Sequence, residues 1–352
     1  MPSGLKVAVT GASGYIATRL IESLLADERI ELVLGFDVRS PEILSERFVF
    51  DEVDVRTPSL EARLGGVDVL VHLAFIMDPI ADENEMRDVN VNGTQNVLRA
   101  AGKAGVRKIL YTSSATVYGA HPDNPIPLTE EAPLRANLDF SYPAHKLEAE
   151  YVVREFKDEF PDATVTVFRP AIVFGPHVDN AWSHLMEFPV FFGVQGHRPP
   201  FQFVHEEDVA GALAFAVHTD LDGAYNVAPD GWLEADETLA ILGRRRVELP
   251  EPVAFAFLDR LWGMGLAEAP AGMLHYVMHP WVVSGAKLAQ AGFTCKHSTV
   301  ETFREVAEKV KGRIRVGNRS VKKGQLMAGA AAAGLVGAVF ATRRARRRWN
   351  AA

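Results

Sequence analysis

Apolar and polar residues follow two alternating spacings along the first third of the chain. Leu5–Thr10 is a short apolar run that ends at Gly11, which predicts a buried strand of a parallel sheet. Between Gly14 and Leu25 the apolar residues recur at helical spacing, and Glu31–Asp37 is a second apolar run of strand length. The pattern therefore predicts a strand, a helix and a strand in succession.

The same alternation continues further along the chain. Val67–Ala74 and Val106–Ser113 predict two later strands, and Glu85–Ala104 has an apolar face that predicts a helix between them. Strands that alternate with helices indicate βαβ units, so we expect an α/β fold with a parallel sheet covered on both faces. Sheets of this kind bind ligands at the carboxyl ends of their strands.

Composition excludes several classes of protein. The 352 residues are 48% hydrophobic and 23% charged, which is typical of a globular chain and not of a disordered or multi-span membrane protein. The single cysteine, Cys295, excludes a disulfide framework and a cysteine-based zinc site. The spacing of the histidines matches no metal-ligand pattern, so we expect no metal. The first residues have no secretory-signal pattern, and we expect the body of the protein in the cytoplasm.

The loop after the first predicted strand has small residues at fixed positions, Thr10–Ala17 (TGASGYIA). Gly11 permits a tight turn, Gly14 permits close approach of the backbone to a pyrophosphate, and Ala17 keeps the helix near the strand. The helix start would direct N–H groups at the phosphates. An ordinary turn with glycines is the alternative.

Asp37 ends the second predicted strand, twenty residues after Ala17. A carboxylate there would accept hydrogen bonds from the adenosine ribose and would repel a 2′-phosphate, which favours NAD over NADP. Arg39 weakens this preference. Asp54 and Val55 resemble a second contact, with Asp54 near the adenine amine. A strand-end turn is the alternative role for Asp37.

Tyr142 and Lys146 lie four residues apart in a segment that we expect to be helical from Ser141 onward. At this spacing both side chains lie on one face, and an ammonium group beside a phenol lowers the pKa of the phenol. Tyr142 would then act as a general acid/base, and Ser113 or Ser114 at an earlier strand end would hold a substrate oxygen. A chance surface pair is the alternative for this motif alone.

Taken together, these residues resemble the extended short-chain dehydrogenase/reductase family, the NAD-dependent epimerase/dehydratase group, with a 3-beta-hydroxysteroid-dehydrogenase-like branch as one option. The resemblance covers about residues 5–310. It rests on Thr10–Ala17, Asp37, Asp54-Val55, His72-Leu73-Ala74, Asn90–Thr94, Thr112–Gly119, Tyr142–Lys146, Arg169-Pro170, Phe174–Pro176 and Val204–Ala210.

The resemblance implies a Rossmann-type doubly wound sheet with a smaller C-terminal α/β substrate domain, NAD as cofactor, a small-molecule substrate and a homodimer. It makes Tyr142 the acid/base, Lys146 its partner on the nicotinamide ribose, Ser114 the group that orients the substrate oxygen, and Asn90 a support for Lys146 through water. A helix-packing amide is the alternative for Asn90. The implied cofactor contacts are Gly11, Ser13, Gly14, Tyr15, Ile16, Asp37, Arg39, Asp54, Val55, Leu73, Ala74, Asn90, Ser113, Tyr142, Lys146 and Pro170.

One departure from the family pattern concerns the substrate. Members that act on nucleotide sugars usually carry Asn three residues after the arginine of the Arg169 motif, where this chain has Ile172. An apolar residue cannot make the diphosphate contact. Trp182–Phe203 and Val253–Trp281 are rich in aromatic residues and methionine, and they either line a lipophilic pocket or form the core of the small domain.

The charge of the chain is uneven. The net charge of −8 argues against nucleic acid as a partner, yet eleven of the 37 lysines and arginines lie from Lys311 onward, where there is no Asp or Glu. Within this tail, residues 324–342 are uncharged, and we expect a membrane anchor or an interfacial helix on the cytoplasmic face. The expected divisions are an NAD-binding domain at 1–170 to which residues near 204–228 return, a substrate-binding part at 171–315, a linker at 316–323 and the tail at 324–352.

Three functions remain open. The first is NAD-dependent oxidation of a secondary alcohol on a lipophilic molecule, such as a sterol or isoprenoid. The second is a nucleotide-sugar epimerase or dehydratase with no net change in NAD. The third is an NAD-binding regulator without catalysis, against which the complete set of Ser114, Tyr142 and Lys146 argues.

Overall fold

The computed structural model describes residues 4–80, 82–188, 190–311, 313–316 and 319–322. The large sheet is built from β1 (Leu5–Thr10), β2 (Ile30–Asp37), β3 (Phe48–Glu52), β4 (Val69–His72), β5 (Lys108–Thr112), β6 (Thr164–Pro170) and β10 (Gly223–Val227). The shorter strands are β7 (Ile172–Phe174), β8 (Val190–Val194), β9 (Phe203–His205), β11 (Arg245–Leu249), β12 (Arg313–Val316) and β13 (Arg319–Lys322).

The helices begin and end as follows: α1 (Tyr15–Ala26), α2 (Leu60–Arg63), α3 (Glu83–Arg87), α4 (Gly93–Lys103), α5 (Ser141–Glu159), α6 (Ala181–Glu187), α7 (Glu206–His218), α8 (Ala235–Leu242), α9 (Glu251–Gly263), α10 (His275–Met278), α11 (Ala286–Gln290) and α12 (Thr299–Val310). A π-helical turn, Asp88–Asn92, joins α3 to α4, and 3₁₀ turns cover Ala115–Tyr118 and Ala271–Leu274. The helix predicted at Glu85–Ala104 is therefore interrupted by a wider turn.

All seven strands of the large sheet are parallel, in the order β10-β6-β5-β4-β1-β2-β3. The predicted α/β fold with a Rossmann-type doubly wound sheet is confirmed. From β1 the chain first adds β2 and β3 on one side and then returns to add β4 on the other. The switch point thus lies between β1 and β4, where the two loops at the carboxyl ends diverge and leave a crevice for a ligand.

The core forms because the strands and helices bury their apolar residues against each other. In α1 the buried residues Ala17, Leu20, Ile21 and Leu24 recur at helical spacing, and α1 packs against α7 on one face of the sheet. Helices α4 and α5 pack together on the other face. With both faces covered, the central strands are apolar on both sides, as the sequence pattern indicated.

The later part of the chain contributes one strand to the large sheet and several small elements beside it. Strand β10 pairs with β6 at the edge of the sheet, and β7–β9 and β8–β11 are separate parallel pairs. Strands β12 and β13 form an antiparallel hairpin that occupies part of the segment for which a linker was predicted. The domain boundaries remain predictions.

The predicted anchor at residues 324–342, and the rest of the tail after it, lie outside the described residues. Among the helices of the described ranges, none is both long and apolar enough to cross a bilayer.

Candidate active site

The glycine loop crosses the switch point in close contact with the end of β4. Gly11 has φ = 71°, and a Cβ atom there would lie 2.7 Å from the backbone nitrogen of Ala74. Neither the backbone conformation nor the space admits a larger residue at this position. Gly14 then serves as the N-cap of α1, so the first N–H groups of this helix face the crevice.

Asp37 is held in place at the end of β2 by two backbone groups and one hydroxyl. Its Oδ2 accepts hydrogen bonds from the Ser13 N–H at 3.0 Å and the Ser13 hydroxyl at 2.6 Å, and its Oδ1 accepts from the Arg39 N–H at 3.1 Å. Ser13 therefore orients the carboxylate. Asp37 itself lines the crevice.

Asp54 binds Arg56, a residue not predicted from the sequence. The guanidinium group of Arg56 donates to Asp54 at 2.7 and 3.0 Å and also contacts Glu85 and Asp88 at 3.0 Å. The Arg56 side chain holds the pKa of Asp54 below its usual value. The expected contact from Asp54 to an adenine amine thus competes with an ion pair already formed. The spacing of two residues between Asp54 and Arg56 was the available signal.

These loops open into one cavity of about 470 Å³ along the carboxyl ends of the strands. Of the residues predicted from the sequence, those that line it are Gly11, Gly14, Tyr15, Ile16, Asp37, Arg39, Asp54, Val55, Leu73, Ala74, Ser113, Ser114, Tyr142, Lys146 and Pro170. Ser13 and Asn90 lie behind the wall. The cavity runs from the ends of β2 and β3 to the ends of β5 and β6, which gives it two distinct ends.

Asn90 lies in the π-helical turn and is fully buried. Its Oδ1 accepts from the Ile76 N–H at 2.7 Å and its Nδ2 donates to the Ile76 carbonyl at 3.0 Å. Asn90 thus fixes the loop after β4, which carries Phe75 over the amine of Lys146. A contact through water to Lys146 stays a prediction.

Lys146 is buried and its ammonium group has defined neighbours. Its Nζ donates to the Thr112 carbonyl at 2.8 Å and lies 3.5 Å from the centre of the Phe75 ring. Burial lowers the pKa of Lys146 to about 7, and the negative charge of Glu150 opposes that shift. The amine is therefore only partly charged near neutral pH.

Tyr142 differs from the expectation drawn from its spacing to Lys146. Burial raises the pKa of the phenol to about 12, although a hydrogen bond with Ser114 acts in the opposite direction. The Lys146 Nζ lies 6.0 Å from the centre of the Tyr142 ring, and its own charge is partial. The predicted lowering of the phenol pKa is therefore wrong for the protein alone, in which the Tyr142 phenol is protonated at neutral pH. Its role as the acid/base stays a prediction.

The two serines after β5 have separate partners. Ser113 donates its hydroxyl hydrogen to Glu150 at 2.6 Å, so that hydroxyl is occupied. The Ser114 oxygen accepts from the backbone and side chain of Thr116 at 3.2 and 3.0 Å. Its own hydrogen remains available for Tyr142 or a substrate oxygen.

A buried charged network lies behind the serines. Glu150 forms a two-point ion pair with Arg169, at 2.6 and 2.9 Å, and Arg169 also donates to the Tyr118 hydroxyl at 2.9 Å. Glu150 lies one helical turn after Lys146 on α5. From the sequence, Arg169 is predicted only as part of a motif and Glu150 is not predicted, although its spacing of four residues from Lys146 is a signal for it.

The cavity end near β5 and β6 is largely apolar. Trp182 and Trp281 lie with ring centres 6.0 Å apart, and the wall there is formed by Phe140, Ile172, Trp182, Met273 and Trp281. The exposed carboxylate of Asp78 also lines the cavity and accepts from the Ala181 N–H at 3.1 Å. Both alternatives for the aromatic segments hold in part, because other members, Phe191, Phe201 and Phe203, are buried in the core.

One group of possible metal ligands occurs among the described residues, away from the cavity. His205, Glu207 and His297 bring one ligand atom each within 4.8 Å of one another. The His205 Nδ1 accepts from the Glu207 N–H, so its other nitrogen carries the hydrogen and points at Glu305, 3.0 Å away. The rings of His205 and His297 are stacked with their centres 4.1 Å apart. The absence of a metal stays a prediction.

Comparison with known proteins identifies a family and individual relatives of this chain. The sequence model of the NAD dependent epimerase/dehydratase family matches residues 7–228. The uncharacterized protein Rv0501 of Mycobacterium tuberculosis is 28% identical over 307 residues, which are 84% of this chain and 82% of that protein. N-acetyl-alpha-D-glucosaminyl-diphospho-ditrans,octacis-undecaprenol 4-epimerase of Escherichia coli O157:H7 is 36% identical over 172 residues, 48% of this chain and 49% of that enzyme.

Solved structures share the fold. UDP-glucuronic acid 4-epimerase from Bacillus cereus in complex with NAD is 18% identical, with a TM-score of 0.67 over 87% of this chain and 99% of that one. DesIV, a dTDP-glucose 4,6-dehydratase from Streptomyces venezuelae solved with NAD bound, is 22% identical, with a TM-score of 0.68 over 87% of this chain and 97% of that one.

Proposed function

Because the chain belongs to the NAD-dependent epimerase/dehydratase family, we propose that it is an NAD-linked oxidoreductase that acts on a secondary alcohol or ketone of an uncharged, lipophilic molecule. Tyr142 exchanges the proton of the reacting oxygen.

The residues at the glycine loop fit NAD. Gly11 leaves space that a Cβ atom would fill, the start of α1 offers N–H groups to a pyrophosphate, and Asp37 is held where a ribose diol would donate to it. Lys146 lines the same cavity below Tyr142 and offers its amine to the second ribose. When bound, NAD supplies the nicotinamide carbon that accepts or returns a hydride.

The side chains around Tyr142 handle the proton. In the direction of ketone reduction, the neutral phenol donates its proton to the carbonyl oxygen, which suits a group whose pKa is about 12. In the direction of alcohol oxidation, the phenol of Tyr142 must first release its own proton to water, and the phenolate that results takes the proton of the substrate hydroxyl. The Ser114 hydroxyl, which forms a hydrogen bond with Tyr142, orients the substrate oxygen beside the phenol. Lys146 stabilises the deprotonated phenol to the extent that its amine is charged.

The side chains at the substrate end of the cavity support the proposal about the substrate. Among the described residues that line the cavity, the cationic side chains are Arg39, Arg56 and Lys146. Arg39 and Arg56 lie at the adenine end, where Arg56 is already paired with Asp54. The substrate end offers Ile172, tryptophan and methionine, which suit an apolar molecule and do not neutralise a diphosphate.

A sugar epimerase or dehydratase is the second candidate, favoured by the names of the similar proteins. The Escherichia coli relative is named for a sugar linked through a diphosphate to undecaprenol, so a lipid-linked sugar would reconcile an apolar cavity with sugar chemistry. The assembled set of Ser114, Tyr142 and Lys146 disfavours an NAD-binding regulator without catalysis. Membrane association through residues 324–342 and a homodimer stay predictions.

The experiment follows NADH absorbance with the full chain, NAD and a panel of hydroxysteroids, prenols and nucleotide sugars. We expect NADH to accumulate with a lipophilic alcohol, and to fail to do so with Tyr142→Phe. Conversion of a sugar to its epimer or dehydrated product, without net NADH, would contradict the proposal and support the second candidate.

A further inference from the structure

Asp78 is the acidic side chain at the substrate end of the cavity. Among the described residues that line the cavity, the other carboxylates are Asp37, Asp54 and Glu85, and these three lie at the adenine end. Asp54 and Glu85 form ion pairs there with Arg56. The proton and hydride transfers proposed above do not involve Asp78, so a carboxylate at this apolar end needs another explanation.

Two distant segments of the chain hold Asp78 in position. Asp78 lies in the loop after β4, which Asn90 anchors through two hydrogen bonds to the backbone of Ile76. Its Oδ1 accepts a hydrogen bond from the Ala181 N–H, which is 3.1 Å away and 103 residues further along the chain. Among the described residues, no lysine or arginine forms an ion pair with Asp78. The side chain is exposed to the cavity, so its other oxygen can accept a hydrogen bond from a bound molecule.

An apolar wall lies beside this carboxylate. Trp182 directly follows Ala181, and its ring centre lies 6.0 Å from that of Trp281 on the cavity wall. The walls partly remove water from Asp78, and this desolvation raises the pKa of its carboxyl group. A carboxylate in such a place costs free energy unless hydrogen-bond donors replace the lost water. A ligand with a suitably placed donor would add to the single donor that Ala181 supplies.

Negative charge surrounds the same end of the cavity. The His184 ring lies between two further carboxylates, with its Nδ1 2.7 Å from Glu268 and its Nε2 2.6 Å from Asp179. In addition to desolvation, the charges of Glu268 and Asp179 raise the pKa of Asp78, although His184 acts in the opposite direction. An anionic group on a ligand would be repelled here, whereas a neutral hydrogen-bond donor would not.

We propose that Asp78 is a specificity-determining residue that accepts a hydrogen bond from a second hydroxyl group of an uncharged substrate. This assignment rests on the proposed function, in which Tyr142 contacts the reacting oxygen. Besides burial, the charge of Asp78 raises the pKa of the Tyr142 phenol, so the two groups are close enough for one small molecule to contact both. A hydroxyl group suits the site better than an ammonium group, because a charge loses far more hydration free energy in an apolar cavity. The substrate class is therefore a lipophilic diol or hydroxyketone.

The test compares wild type with Asp78→Asn, Asp78→Leu and a control, Asp158→Asn. Asp158 is an exposed aspartate on α5 that does not line the cavity, and it lies sixteen residues, or ~24 Å along the helix, from Tyr142. The probes are secondary alkanols of increasing chain length and the matching diols, which carry a second hydroxyl at the far end. The ratio of kcat/KM between each diol and its mono-alcohol is measured within each protein, so that a general loss of activity cancels.

The expected ratios follow from the strength of a hydrogen bond to a charged group. Wild type and Asp158→Asn are expected to favour at least one diol over its mono-alcohol by roughly ten- to hundredfold. The preference is expected to fall in Asp78→Asn, which keeps a neutral acceptor, and to disappear in Asp78→Leu. Because the bond forms with substrate and transition state alike, the change is expected in KM and not in kcat. A merely structural role for Asp78 would leave the ratio unchanged.

Three results would overturn the proposal. They are a wild type that favours no diol, an equal preference in wild type and Asp78→Leu, and a preference of wild type for the matching amino alcohol over the diol. Failure of the proposed function appears differently, as no oxidation of any alkanol or diol by wild type. Calorimetric titration of the same probes into the complex of the chain with NADH then measures the preference without turnover. Equal binding of diol and mono-alcohol in that titration, or no binding of either, overturns the role of Asp78.

Discussion

Two Glu–Arg ion pairs on helix α5 permit a matched test of what burial does to a charge. Glu150 pairs with Arg169, and the two side chains are 4% and 6% exposed. Glu148 pairs with Arg87, and these side chains are 39% and 48% exposed. The chemistry and the helix are the same, so the difference between the two substitutions reports the environment.

The expected magnitudes follow from that difference. Glu150→Gln keeps the shape and an acceptor for the Ser113 hydroxyl, yet it leaves the guanidinium of Arg169 charged and buried without a counter-ion. Breaking a buried pair in this way costs ~3–5 kcal/mol of the free energy of unfolding. Glu148→Gln removes an exposed pair that water already screens, and we expect a loss of about 0–1 kcal/mol.

Urea denaturation of wild type and the two single variants measures these losses. The double variant Glu150→Leu/Arg169→Met removes both buried charges and is measured together with its own single variants, Glu150→Leu and Arg169→Met. We expect the double variant to lie closer to wild type than either of these single variants. Equal losses for Glu150→Gln and Glu148→Gln, or additive losses in the double variant, would refute the reasoning that an unpaired buried charge dominates.

The remaining predictions concern the glycine loop, the cofactor and the catalytic pair. Gly11→Ala is expected to destabilise the fold and abolish NAD binding, because it combines φ = 71° with a Cβ atom 2.7 Å from the backbone nitrogen of Ala74. Gly66→Ala, at φ = 75° with open space around the Cβ position, is the control. Thermal denaturation and NADH fluorescence measure stability and binding, and equal effects of the two substitutions would contradict the prediction. Tyr142→Phe lowers kcat by about 10²- to 10⁴-fold in the NADH assay with NAD affinity retained, and activity near wild type would exclude Tyr142 as the acid/base. Asp37→Asn is expected to reduce the preference for NAD over NADP, which titration of the protein with each cofactor measures. An unchanged ratio of the two affinities would contradict the role of the Asp37 charge. Because the pKa of Lys146 is lowered to about 7, the folded chain binds fewer protons than the unfolded chain above that pH. We therefore expect the free energy of unfolding of wild type, relative to that of Lys146→Met, to rise between about pH 7 and pH 10 by at most ~1.4 kcal/mol per pH unit. A difference between the two proteins that does not change with pH would refute the lowered pKa.

The sequence determined the features that depend on residues close together in the chain. Strand β1 begins and ends where the apolar run does, at Leu5 and Thr10, because a buried parallel strand must be apolar on both faces. The glycine loop could be predicted because a tight turn restricts the residue types that it admits. The pairing of Tyr142 with Lys146 could be predicted because the two residues are one helical turn apart. Family motifs then supplied the cofactor.

Only the tertiary structure decided which distant groups share a low-dielectric environment. Burial sets the pKa of Tyr142 to about 12, and no spacing in the sequence reports how deeply a side chain lies. Glu150 and Arg169 meet because α5 packs beside β6. Local propensity acts over a few residues, whereas the desolvation of a side chain arises from packing between elements that are far apart in the chain.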